Sequence, residues 1–388
     1  MPSELLEKTN GRCLCILVDN DVRYDFFKTI LLSYNPCNIL FLHASYYTYR
    51  LSKQNALVGQ HILLKRSSRK SNHCDIASRV SIQEYKGYID RKTTMSIYSH
   101  TSLEKLIIEY KIANIWVFSG FQFSWYKLQE TCSQNLLNKL NIIYFEIGNF
   151  PNKFQCGLGG VNADNISLRS VQSISYDIEE EDSQKLFNSI IKFQPKAPSR
   201  KLSLKITEMV YNKLGNILYK TLAPQASGIN VILKLLKLKQ AKKLIKKFNN
   251  IEIPYNRYAI FISQVSEDTQ TIIQSTETEI SALKKAYKIS LNRNLKLIVR
   301  LHPREYNVVS LKNIVNWCEL HDIIISNKGS LIEACSNSDV VITINSTGGC
   351  HMLLINKEVI TLGDAFYKNW SSSDVVKYHN NFLLDIDE

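Results

Sequence analysis

The chain has 388 residues, room for two or three domains at about 150 residues each. With 45% hydrophobic and 21% charged residues, and only 14 Gly and 8 Pro, it is neither disordered nor fibrous. No apolar run nears the ~20 residues that cross a bilayer. The net charge of +13 is concentrated: residues 191–250 hold fourteen Lys and Arg against Glu208 alone, which accounts for the whole excess. A neutral body with one basic segment points to a local docking surface over general polyanion binding. Nine cysteines with no CxxC pair point to reduced thiols, several of them packed as small hydrophobes, over a zinc or disulfide framework.

In chain order, Cys13–Val18 is a short apolar run ending at Asp19, a poor leader and a good buried strand. Val22–Ser33 reads as a helix and Asn38–His43 as a second strand. After a polar stretch over roughly 65–95, Leu103–Ile112 is helical and Asn114–Phe118 a strand. A helix over Trp125–Leu140 and the strand Asn141–Phe145 follow. The second half repeats the alternation, with strands at Tyr258–Gln264, Lys296–Leu301, Asp322–Ile325, Asp339–Ile344 and Glu358–Leu362. Helices at Thr269–Ile289, Tyr306–Leu320 and Gly348–Ile355 separate them. Short apolar strands divided by helices predict parallel, doubly wound sheets. The expected division is an N-terminal Rossmann-like domain (1–175), a helical Lys-rich connecting segment (176–256) and a C-terminal Rossmann-like domain (257–388), with a cleft between the two sheets.

Open α/β sheets bind ligands beyond the carboxyl ends of their strands, so the residues there are the candidates. Glu146 and Gly148 follow the strand ending at Phe145, with Gly159-Gly160-Val161-Asn162 shortly after. Glu146 is either a carboxylate facing the crevice or an ordinary loop acid. Beyond Gln264 comes Asp268, a nucleophile or base aimed into the cleft, or a helix cap. His302-Pro303-Arg304 follows the next strand; proline stiffens the chain there, and His302 with Arg300 or Arg304 can meet a phosphate, unless the imidazole is structural. Asn345-Ser346-Thr347-Gly348-Gly349 opens a helix with small hydroxyls and glycines, which suits an anion as well as a plain capping turn.

Together these stretches resemble the capsule polysaccharide Kdo-transferase family, the KpsS- and KpsC-like proteins. The matching pieces are Phe145-Glu146-x-Gly148 with Gly159-Gly160-Val161-Asn162-Ala163, Gln264-Val265-x-x-Asp268-x-Gln270, His302-Pro303, and Ile344-Asn345-Ser346-Thr347-x-Gly349 through Leu362-Gly363-x-Ala365-x-Tyr367. The resemblance implies a GT-B-like fold and a retaining β-Kdo transferase that uses CMP-Kdo, with no cofactor and no metal. It implies Asp268 as nucleophile and Glu146 as general base. His302, Ser346 and Thr347 would hold the CMP phosphate, helped by the helix start at Gly348, and Gln264 and Gln270 would orient donor or nucleophile. Arg300, Arg304 and Asn345 complete the expected donor site. Two departures stand out: His351 occupies the place where many nucleotide-sugar enzymes carry a ribose-binding acid, and Ser263-Gln264-Val265 differs from the usual leucine- or glycine-led run.

Val231–Phe248 carries Val231, Leu235, Leu238, Ala241, Ile245 and Phe248 at helical spacing, with Lys239, Lys243, Lys246 and Lys247 on another arc. Such a helix lies on an anionic membrane or packs on a core with its lysines solvated. Nucleic acid is a third reading, but no aromatic platform accompanies the lysines. The membrane reading places the protein in the cytoplasm, peripheral on the inner membrane, with a lipid-linked or glycan acceptor and capsule-assembly partners. The alternatives in function are a noncatalytic capsule-assembly protein of the same fold and a GT-B enzyme using another nucleotide sugar.

Overall fold

The computed structural model describes residues 13–34, 36, 38–55, 58–67, 98–193, 202–222 and 228–385. Most of the polar stretch expected over 65–95 lies outside these residues. Six consecutive apolar residues suit a strand covered on both faces, and Cys13–Val18 (β1) is buried throughout. It pairs in parallel with Ile39–His43 (β2), and β2 with Gln60–Leu63 (β3). Arg66–Ser67 (β4) and Tyr98–Ser99 (β5) form a small separate ribbon. On the other side of β1 lie Ile112–Phe118 (β6) and Asn141–Ile147 (β7), both parallel, then the antiparallel Lys153–Leu158 (β8) and the C-terminal strand Leu383–Asp385.

The two-residue period of a strand sends alternate side chains of β1 to opposite layers. Leu14, Ile16 and Val18 join Tyr24, Phe27, Ile30 and Leu31 of the helix Asp21–Tyr34, together with Trp116, Phe145 and Phe154. Phe27 meets Phe145 edge-on, with ring centres 5.3 Å apart. Cys13, Cys15 and Leu17 face the other layer, among Leu42, Leu103, Val117 and Trp125. Helices thus cover both faces of the sheet.

A second sheet holds Tyr258–Ile262 (β9), Lys296–Arg300 (β10), Ile324–Ile325 (β11), Val340–Thr343 (β12) and Glu358–Thr361 (β13), all parallel, in the order β11-β10-β9-β12-β13. Both sheets are of the doubly wound, Rossmann-like kind that the GT-B-like expectation named. Among the described residues all the cysteines are free thiols, and burial pushes Cys156, Cys318 and Cys335 up to about 12.

The chain divides into two compact units: Met1–Ser167 with Pro195–Ser227 and Asn381–Glu388, and Leu168–Gln194 with Gly228–Asn380. The basic segment expected over 176–256 is therefore shared. Its helix Leu202–Tyr219 belongs to the first unit and its helix Gly228–Lys246 to the second. The reason lies in where each packs. Gly215 closes against Tyr46 in the first unit, whereas Ala241 and Ile245 enter the core of the second.

Two expected helices are broken. Trp125–Leu140 is resolved into Phe123–Gln129 and Gln134–Leu137. Thr269–Ile289 becomes Thr269–Ile273 and Glu279–Asn292, because the polar run between them makes its own turn. Ser275 Oγ accepts the Glu277 N–H at 2.9 Å, and Thr278 and Ser281 form a capping box that starts a new helix.

Candidate active site

From β9 the sheet of the second unit is built outward in two directions, to β10 and β11 on one side and to β12 and β13 on the other. The carboxyl ends of β9 and β12 therefore flank a topological switch point, where open α/β sheets hold ligands. Gln264 and Asn345 clasp each other across it. Gln264 Nε2 donates to Asn345 Oδ1 and Gln264 Oε1 accepts the Asn345 N–H, both at 2.8 Å. Ser346 caps the helix Thr347–Leu353, its Oγ accepting the Gly348 N–H at 3.3 Å, while its own N–H donates to Thr343 Oγ1. Below the turn, the buried Tyr367 hydroxyl donates to the Ser346 carbonyl. Gly349 is required there, since a Cβ would stand 2.5 Å from that hydroxyl.

Asp268 stands at the start of the helix Thr269–Ile273, with its N–H bonded to the Val265 carbonyl and its carbonyl to the Ile272 N–H. His302, just past β10, is held from both sides. Its N–H donates to Ser263 Oγ at 2.9 Å, and its Nδ1 accepts the Arg304 N–H at 3.1 Å. With Nδ1 an acceptor, the neutral ring carries its proton on Nε2. Burial and then Arg304 hold the His302 pKa below its ordinary value, while Asp268, within electrostatic reach, pulls it back up.

Four residues that the sequence reading passed over surround the segment carrying Asp268. Glu305, 2% exposed, accepts N–H bonds from Ser266 at 2.6 Å and from Tyr306 and Asn307 at 2.7 Å. Tyr306 OH donates to Glu267 at 2.7 Å, and burial together with this carboxylate raises the phenol pKa. Glu279 accepts the Gln264 N–H at 3.1 Å. Burial lifts Glu279 to about 8, with a further push from Glu305, while the Gln264 bond opposes the rise. Its other oxygen is buried with no hydrogen-bond partner. Their signals in the sequence are slight: Glu267 adjoins Asp268, Glu279 follows the Thr278 cap, and Glu305-Tyr306 follows His302-Pro303-Arg304.

Other candidates fall elsewhere. The guanidinium of Arg300 is buried and donates to the carbonyls of Lys328 and Gly329. This corrects its expected role: it anchors the 328–329 turn, and a phosphate would have to compete with two main-chain carbonyls. Arg304 is exposed. Gln270 lies in the helix Thr269–Ile273, and its side chain is outside the described residues. Lys239, Lys243, Lys246 and Lys247 are all exposed, and in the apolar stripe beside them Ala241 and Ile245 are buried. Leu235, earlier in the stripe, is open to solvent.

Glu146 is not in a loop after its strand. β7 continues through it to Ile147 and turns back, pairing Glu146 with Gln155 of β8. The antiparallel return extends the strand beyond the apolar run that marked it in the sequence. Gln155 Nε2 donates to Asn162 Oδ1 at 2.8 Å, with Asn162 in the left-handed region at φ 54°. The two motif pieces, at Glu146 and at Gly159–Asn162, are thereby brought together within the first unit.

This architecture defines a two-unit α/β protein whose second unit has a polar, carboxylate-bearing switch point. Residues 205–382 match the family model described as "Capsule polysaccharide biosynthesis protein". The matched part contains every residue of the switch-point site. No curated protein matches the chain. Among solved structures, it is similar to the Thermosulfurimonas dismutans KpsC beta Kdo 2,7 transferase, at 12% identity and TM-score 0.46, over 97% of this chain and 93% of that one. A similarity to the KpsC beta Kdo 2,4 transferase of the same organism has 13% identity and TM-score 0.34, over 68% and 78%. A third, to the UDP-GlcNAc 2-epimerase of Methanocaldococcus jannaschii, has 12% identity and TM-score 0.27, over 95% and 92%. Among the described residues no helix is long and apolar enough to cross a membrane.

Proposed function

We propose that the protein is a retaining β-Kdo transferase of capsule or other surface-polysaccharide synthesis, with CMP-Kdo as donor and a glycan or lipid-linked acceptor. The observation that carries this reading is Asp268 within electrostatic reach of a histidine protonated on Nε2, beyond the carboxyl ends of the neighbouring strands β9 and β10 in the segment that the capsule family model matches. An Asp268 oxygen bonds to the anomeric carbon as the bond from that carbon to the phosphate oxygen breaks, and CMP leaves with the electron pair. His302 Nε2–H and the Ser346 and Thr347 hydroxyls steady the departing phosphate, so this reading calls for no metal or cofactor. Gln264 and Asn345, clasped together, hold the two strand ends at a constant spacing under the donor. An acceptor hydroxyl, its proton taken by Glu146, then displaces Asp268; two inversions give net retention. The exposed lysines 239, 243, 246 and 247 would seat the protein on the anionic cytoplasmic face of the inner membrane, near a lipid-linked acceptor and the capsule-assembly proteins that act on it.

Intact mass after mixing with CMP-Kdo tests the chemistry. Wild type and Glu146→Gln should both carry a sugar-sized adduct, with Glu146→Gln the slower to pass it on, and Asp268→Asn should carry none. An Asp268→Asn protein that transfers Kdo at the wild-type rate would overturn the assignment.

A further inference from the structure

The helix Leu202–Tyr219 is inverted relative to an ordinary surface helix. Its inner face is polar and aromatic. Asn212 Oδ1 accepts the Ser45 hydroxyl at 2.7 Å and the Tyr47 N–H at 3.2 Å, and Tyr211 stacks on Tyr47 beneath the Arg50 guanidinium. Gly215 lets the helix approach Tyr46, where a Cβ would come within 2.2 Å of the tyrosine Cβ. The outer face carries Ile206, Met209, Val210, Leu214, Ile217 and Leu218, which are 41–67% exposed. At 100° per residue these six fall on one broad arc turned away from Asn212 and Gly215, with the exposed Lys213 between Met209 and Ile206.

Six large apolar side chains on one exposed face exceed the scattered surface hydrophobics of a monomer and mark an interaction surface. The charge around it selects the partner. Lys213 is exposed on this helix and Lys220 just past its end, and in sequence residues 191–250 carry fourteen Lys and Arg with Glu208 the one acid. A second copy would bring this basic segment against itself, whereas an anionic lipid surface offers both neutralising headgroups and a hydrocarbon boundary for the apolar arc.

We propose that the outer face of the helix Leu202–Tyr219 inserts into an anionic membrane interface, so that the protein is held there by apolar contact as well as by lysine attraction. This rests on the peripheral-membrane reading above and assigns the inserting element, which is not the lysine-rich helix Gly228–Lys246. Apolar insertion survives salt, whereas attraction between exposed charges fades as the Debye length shrinks to about 3 Å at molar ionic strength.

Flotation of the full chain with phosphatidylglycerol–phosphatidylcholine vesicles, at low and high salt, tests the proposal. Wild type should float at both. The Ile206→Gln/Ile217→Gln double variant should lose roughly 10- to 100-fold in partitioning at both salts, with an unchanged thermal midpoint because both positions face outward. Ile217→Trp should retain the partitioning. Replacing Lys239, Lys243, Lys246 and Lys247 by Gln should remove only the salt-sensitive part. If that lysine variant floats like wild type while the double variant does not, the lysine assignment fails and the inserted face stands. A double variant that floats like wild type overturns the inserted face. So does a concentration-dependent wild-type dimer in light scattering that the double variant abolishes, since a second copy would then cover the arc. Wild type that floats with no vesicle overturns both readings.

Discussion

Replacing Glu279 by Gln should stabilise the protein, and increasingly so as the pH rises. The carboxyl is 4% exposed, one oxygen accepts the Gln264 N–H, and the other has no hydrogen-bond partner. Burial, reinforced by Glu305, moves its pKa from 4.5 to about 8. Between those values the unfolded chain gives up the proton while the folded chain keeps it. The unfolded state thus binds fewer protons, and stability falls with pH across this window, levelling above the folded pKa. At about 1.4 kcal/mol per pH interval the loss reaches the order of 4 kcal/mol near pH 8.5, against roughly 1 kcal/mol near pH 5.5. Glutamine keeps an oxygen for the Gln264 N–H and has the shape of the protonated acid without the ionisation. Denaturant titration of both proteins across this range reads the difference directly. The Glu279→Gln advantage should grow by about 3 kcal/mol from the lower to the higher pH. Parallel pH profiles for the two proteins would refute the burial argument.

Glu305→Gln should destabilise by about 2–4 kcal/mol, because an amide in place of the carboxylate sets donor against donor at Ser266, Tyr306 or Asn307. Faster amide exchange at Ser266 and Asn307 would mark the loss. Gly349→Ala should cost more than ~2 kcal/mol, since its Cβ lands 2.5 Å from the hydroxyl of the buried Tyr367; pairing it with Tyr367→Phe should recover part of that loss in the same melting assay. Gln264→Ala leaves the Asn345 N–H without its acceptor at a nearly buried position and should cost about 1–2 kcal/mol. In a transfer assay the same change should raise KM for the donor more than it lowers kcat.

Much of the fold was legible in the chain. Continuous apolar runs such as Cys13–Val18 and Tyr258–Ile262 are buried on both faces, and the rule that ligands gather beyond the carboxyl ends of parallel strands makes Asp268, His302 and Asn345–Gly348 candidates from the chain alone. Strand direction and neighbour order then placed Gln264 and Asn345 just past the ends of adjacent strands, where their amides meet. Less legible were features set by returning chain and by burial. Glu146 looked like a loop residue because apolarity ends at Phe145, but pairing with β8 carries the strand past it.

What the sequence determined by itself was the alternation of strand and helix, the concentration of positive charge in one segment and the residue types at the strand ends, because these follow from local periodicity and composition. Tertiary structure alone decided which charged groups lose their water. Glu279 and Glu305 look like ordinary helix-flanking acids and are buried against the segment that carries Asp268, while Arg300 is turned to carbonyls 28 and 29 residues farther along the chain. It decided equally that the apolar side of the helix Leu202–Tyr219 faces outward, since a period of 3.6 marks a face but not what covers it. Desolvation and coverage depend on neighbours distant in the chain, and no local pattern encodes them.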